Sequence, residues 1–107
     1  MALKNLTDEN FKKEVKESGK ASIIQFSATW CNPCKVLKPI MEEISDEMSD
    51  KLNFFYMDID ESPSTPTLFS IRGVPTLIQF DENGEQKGIK VGATTKSNVI
   101  SFINENI

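Results

Sequence analysis

The sequence predicts an α/β fold, and three observations carry that prediction. Strand-like and helix-like segments alternate in the order β-α-β-α-β-α-β-β-α. A compact run, Ser22-Ile23-Ile24-Gln25-Phe26, leads into a stretch with apolar residues at Leu37, Ile40, Met41, Ile44 and Met48, which is helical spacing. Near the other end, Asn83-Gly84 between two strand-like runs marks a tight hairpin. At 107 residues, 38% of them hydrophobic, the chain is expected to form one domain over 1–107 around a single core.

Taken in order, residues 2–5 are expected to form a short first strand. Thr7 reads as an N-cap, with Asp8 and Glu9 in the first turn of the helix it opens. Leu6 before the cap can pack on Phe11, and Phe11 with Val15 makes the buried stripe. Gly19 is the expected stop. The strand 22–27 follows, and then the long helix, which Pro39 should kink near Lys35 by removing a backbone donor. Leu52 to Met57 is rich in aromatics and strand-like. Thr65 with Pro66 resembles a cap and first-turn proline opening a short helix through Phe69 to Ile71. Val74 to Phe80 and Glu85 to Val91 are the hairpin strands. Thr94 or Thr95 caps the last helix, whose stripe is Val99, Phe102 and Ile103.

Trp30-Cys31-Asn32-Pro33-Cys34 sits where the buried strand hands over to the long helix, and it holds both cysteines. At such a junction unpaired backbone N–H groups and the positive end of the helix dipole face the first sulfur. That environment favours the thiolate, the reactive form. Two cysteines at this spacing can close and reopen a disulfide, so the chemistry indicated is thiol–disulfide exchange. A structural zinc site needs four ligands, and two cysteines without any histidine cannot supply them from one chain. The same absence excludes a Cys–His hydrolase. A purely structural disulfide across so short a loop would constrain little of the unfolded chain. A metal or cluster shared between two chains is the remaining alternative. Cys31, nearer the surface end of the helix, is the expected nucleophile, and Cys34, a turn further in, the resolving thiol.

Charge and composition narrow the classes further. A net charge of −4 argues against nucleic-acid binding through a basic surface. No segment is long and apolar enough to span a bilayer, and the first twenty residues lack the apolar region of a secretory signal. Paired cysteines in such a chain fit a reducing cytoplasm, where they are usually catalytic.

Beyond the cysteine pair, an ordered set of marks resembles the thioredoxin family from about Leu6 to the C-terminus. They are Phe26-Ser27-Ala28-Thr29-Trp30-Cys31, Pro33-Cys34-Lys35, Pro39, Asp58-Ile59-Asp60, Ile71-Arg72-Gly73-Val74-Pro75-Thr76, Asn83-Gly84 and Val91-Gly92-Ala93. The resemblance implies a central mixed five-stranded sheet flanked by four helices, and the same roles for Cys31 and Cys34. It also implies a cis Val74–Pro75 bond facing the cysteines. Gly73, Val74, Pro75, Gly92 and Ala93 would then line a groove with exposed backbone, able to pair with an extended substrate. No bound cofactor is implied; electrons would come from NADPH through a thioredoxin reductase and pass to disulfide-containing proteins. The expected state is a monomer.

Around this motif Trp30 is expected to border the site and Lys35 to be a surface charge. Three positions depart from the family's usual pattern. Asn32 stands where glycine is usual, Gln25 where a buried aspartate assists the second cysteine, and Tyr56 where bacterial members often have lysine. These bear on the redox potential and the proton route; Asp58 is a candidate substitute acid, and a hydrogen bond from Tyr56 to Gln25 is expected. Two further readings compete with a reductase. One is a more oxidising oxidant or isomerase, and the other a thiol-independent binding subunit or holdase.

Overall fold

A computed structural model describes residues 3–107. Five strands form one mixed sheet in the order β1-β3-β2-β4-β5: β1 (Lys4–Asn5), β2 (Ser22–Ser27), β3 (Asn53–Asp58), β4 (Thr76–Phe80) and β5 (Gln86–Val91). β3 runs parallel to β1 and β2, while β4 is antiparallel to β2 and β5. The helices are a π-helical segment (Lys12–Lys16), α1 (Asn32–Met48), α2 (Ser64–Leu68) and α3 (Lys96–Glu105). The predicted first strand is the two-residue β1; its Ala2 lies outside the described residues.

β2 is central because every one of its six residues is buried. Its side chains alternate between two cores. Ile23 packs with Leu37, Met41 and Ile44 of α1 and with Val99 and Ile103 of α3. Ile24 and Phe26 face Phe11, Val15, Phe55 and Phe80. Phe11, Phe69 and Phe80 meet edge to face at 5.3–6.0 Å, a geometry worth about 0.5–1.5 kcal/mol per pair beyond area burial. α1 is continuous through Pro39, and Lys96 ties α3 to it through Glu43 and Glu47 at 2.7 and 2.6 Å.

Four local expectations are corrected. Thr7 does cap the first turn, accepting the Asn10 N–H at 3.3 Å while Asn10 Oδ1 accepts the Thr7 N–H at 2.7 Å. The helix that follows is nevertheless π-wound, with the Glu17 N–H reaching the Lys12 carbonyl at 3.0 Å. The wider turn keeps Phe11 and Val15 on the core and brings Lys16 against the hairpin loop, where its Nζ donates to the Gly84 carbonyl at 2.8 Å. Gly84, at φ 77°, is required there, since a Cβ would meet Lys16 Cα at 2.8 Å.

Asp8 does not serve its own first turn. Its carboxylate accepts the Ser64 and Thr65 N–H groups at 3.0 and 2.8 Å and the Thr65 hydroxyl at 2.7 Å. It thereby caps α2 from across the fold, so Thr65 lies inside that helix instead of capping it, and the helix ends at Leu68. β4 begins at Thr76, two residues later than predicted, because Pro75 has no N–H to give to the ladder. Of the two threonines before α3, Thr95 is the cap, accepting the Asn98 N–H at 3.2 Å.

Candidate active site

The C-terminal end of β2 delivers the chain to Cys31, which is the N-cap residue of α1. Its sulfur accepts the Cys34 N–H at 3.2 Å, so the cysteine takes the place a serine or aspartate often fills. Cys31 and Cys34 are joined in a disulfide, with Cα atoms 5.3 Å apart. Ala28, Ile59 and Val74 pack around the pair. Asn32 and Pro33 stand exposed on the first turn, where the missing proline N–H costs no helical bond.

Trp30 is 67% exposed, with its indole N–H donating to Asp60 Oδ2 at 2.9 Å. Asp58, half-buried, spends its Oδ1 on the N–H groups of Asp60 and Glu61 at 2.8 and 3.4 Å, shaping the loop that presents Asp60. Lys35 is exposed.

On the other side of the disulfide lies the Gly73–Pro75 segment, with the cis bond at Val74–Pro75. Gly92, at φ 92°, donates its N–H to the Pro75 carbonyl at 2.8 Å. The Gly73 carbonyl accepts the Thr76 hydroxyl at 2.7 Å. Val74 is half-buried, and its N–H and C=O make no hydrogen bond within the described residues. Ala93 is exposed beside Gly92.

Beneath the disulfide, Gln25 is fully buried. Its amide nitrogen donates to Ser27 Oγ at 2.9 Å and to the Cys34 carbonyl at 3.2 Å, while Oε1 has no partner. The expected Tyr56 bond is not made: Tyr56 pairs in register with Gln25, but its ring instead carries the Lys38 ammonium 4.5 Å from its centroid. A cation on this side of the sheet therefore comes from α1. Among the described residues, the buried polar side chains are serines, threonines and glutamines, none of which ionises.

Sequence reasoning assigned no role at the site to Ser27, Lys38 or Asp60. Ser27 was findable, since it lies two residues beyond Gln25 on the same face of a strand. Lys38 is four residues after Cys34 and so shares its helix face. Asp60 stood among the family marks, but its bond to Trp30 was not readable, because it depends on a loop closing toward the indole. Among the described residues, no cluster of His, Cys, Asp or Glu forms a metal site, and no helix is long and apolar enough to cross a membrane.

The Thioredoxin family model matches residues 2–105 of the chain. A thioredoxin of Rickettsia prowazekii (strain Madrid E) is 47% identical over 103 residues, covering 96% of this chain and 97% of that protein. One from Buchnera aphidicola subsp. Acyrthosiphon pisum is 46% identical over 102 residues, covering 95% and 94%. One from Acidithiobacillus ferridurans is 40% identical over 106 residues, covering 99% and 97%. With similarity running nearly end to end, and with paired sulfurs at a helix start able to exchange with another disulfide, the chain belongs to the thioredoxin family of protein-disulfide oxidoreductases.

Proposed function

We propose that this protein is a cytoplasmic electron carrier that acts as a monomer, reducing protein disulfides with electrons that reach it from NADPH through a flavoprotein reductase. The family uses no prosthetic group, so the Cys31–Cys34 disulfide is itself the redox centre. Membership of the family implies a thioredoxin reductase and disulfide-bearing proteins as partners. The observation carrying the reading is the position of Cys31, whose sulfur already accepts a helix N–H.

In the dithiol form, Cys31 as thiolate attacks one sulfur of a substrate disulfide. The substrate S–S bond breaks and its other sulfur leaves as a thiolate that takes up a proton. Cys34 then loses its proton and attacks Cys31 Sγ, which closes the protein disulfide and releases the second substrate thiol. Two electrons pass to the substrate, and the reductase restores the dithiol. Val74, with its backbone unpaired, is the station for an extended substrate segment; Gly73, Pro75, Gly92 and Ala93 frame it, while Trp30 and Asn32 form the rim.

Replacing Cys31 and Cys34 by serine tests the reading against thiol-independent binding: disulfide reduction must vanish, whereas a holdase would keep its activity. The neutral Gln25 beneath Cys34 favours a second reading, a more oxidising couple. The reduction potential decides between them. A value near about −270 mV, the general figure for thioredoxins, supports the reductase, and one near about −120 mV a strong oxidant.

A further inference from the structure

Beside the groove, β5 carries two apolar side chains on its outer part, Ile89 at 48% and Val91 at 70% exposure. They lie two apart and so share a face, the one on which their partners Ile78 and Thr76 stand. Ile78 is fully buried in the phenylalanine core, whereas Ile89 and Val91 lie beyond its cover. The chain turns at Ser70, with φ 55°, and Ile71 packs back on that core. Ile71, Arg72, Gly73, Ile89 and Val91 thus border an open recess of about 240 Å³. That is smaller than the roughly 300–1,000 Å³ typical of small-molecule sites and suits a single side chain.

Two observations say what fills it. The recess is continuous with the groove, since Gly73 belongs to both and Val91 directly precedes Gly92. Arg72 is the chain's only arginine, is exposed, and makes no ion pair or hydrogen bond among the described residues, although the chain carries a net charge of −4. A free guanidinium fork matches a carboxylate. In an extended segment paired with Val74, neighbouring side chains alternate in direction. With the substrate cysteine turned toward Cys31, both flanking side chains turn away from the disulfide.

We propose that the recess is a specificity subsite for protein disulfides, taking a bulky apolar residue that flanks the reacting cysteine while Arg72 receives an acidic residue on the cysteine's other side. This rests on the reductase reading above.

The test compares second-order rates of the reduced protein with disulfide peptides whose cysteine is flanked by Leu and Asp, Leu and Lys, or Ser and Lys, each in both orders. Neutral hydroxyethyl disulfide serves as the control. The Leu/Asp peptide should react roughly tenfold faster than the Ser/Lys peptide, the scale at which burying one apolar side chain discriminates. Ile89→Ser should erase the preference for Leu, and Arg72→Glu should reverse the preference for Asp over Lys. Neither should change the rate with hydroxyethyl disulfide. Equal peptide rates in the unaltered protein overturn the subsite, as does a loss of hydroxyethyl disulfide reduction in the variants. A concentration-dependent dimer that Ile89→Ser dissolves would assign the recess to a second copy and overturn it too. Failure of the unaltered protein to reduce hydroxyethyl disulfide would instead sink the reductase reading itself.

Discussion

Gln25 gives both amide hydrogens to neighbours and leaves its oxygen bare, directly under the second cysteine. A carboxylate at that point would repel a thiolate and offer a proton acceptor; the amide does neither. Gln25→Asp should therefore make the potential more negative by about 30 mV or more, equivalent to about 1.4 kcal/mol. It should also add a pH-dependent step to disulfide reduction between pH 6 and 9, and an unchanged potential and profile would reduce Gln25 to a core-filling polar residue. A second expectation concerns the sulfurs. Both cysteines are buried, but only Cys31 sits at the N-cap of α1 with a helix N–H on its sulfur. In the reduced protein it should alkylate with iodoacetamide well before Cys34; mass spectrometry of the modified peptides decides, and first reaction at Cys34 would invert the assigned roles.

The short helix α2 is held at its start by a residue more than fifty positions away in sequence. Burial pushes the Asp8 carboxyl up, but the hydrogen bonds from Thr65 and Ser64 outweigh it and hold it below the usual carboxylate range. Asp8→Ala should cost about 1 kcal/mol, as loss of a cap does, seen as a melting temperature lower by about 4 °C or more. An unchanged melting temperature would mean that water replaces the carboxylate at no loss. This link also marks where sequence reasoning stops. Strand order along the chain, the Cys31 junction, the Asn83-Gly84 turn and the α3 stripe were all legible, because each is a local pattern of spacing or turn chemistry. The π winding at Lys12–Lys16 and the capping of α2 by Asp8 were not. Both come from contacts between distant segments, with the Gly84 turn in one case and the Ser64 amide in the other. The site followed the same division: the cysteines and the proline segment showed themselves, whereas Asp60 and Lys38 acquire their partners only by folding.

Over the whole molecule, three perturbed charges contribute to the pH dependence of stability. The Asp81 carboxyl is held low by the Glu85 N–H, which together with the Asn83 N–H and nearby Lys87 and Lys16 outweighs its desolvation. Like Asp8, it contributes stability that is present above the unfolded pKa of about 3.9 and is lost as pH falls through the lower folded value. Lys96 is raised by its bonds to Glu43 and Glu47. Its contribution is complete below about pH 10.4 and disappears as pH rises through the higher folded value. Urea melts from pH 2 to 11 should show a plateau between about pH 5 and 9, and Asp8→Asn with Asp81→Asn should soften the acid limb; an acid limb identical in the double variant would show that neither carboxyl shapes it. Trp30 gives such experiments a readout. It is the chain's only tryptophan, it directly precedes Cys31, and Asp60 holds its ring in place. A disulfide draws an electron from an excited indole, whereas two thiols do so far less. The protein's own emission should therefore brighten on reduction and dim on oxidation, a built-in optical gauge that follows turnover without a dye.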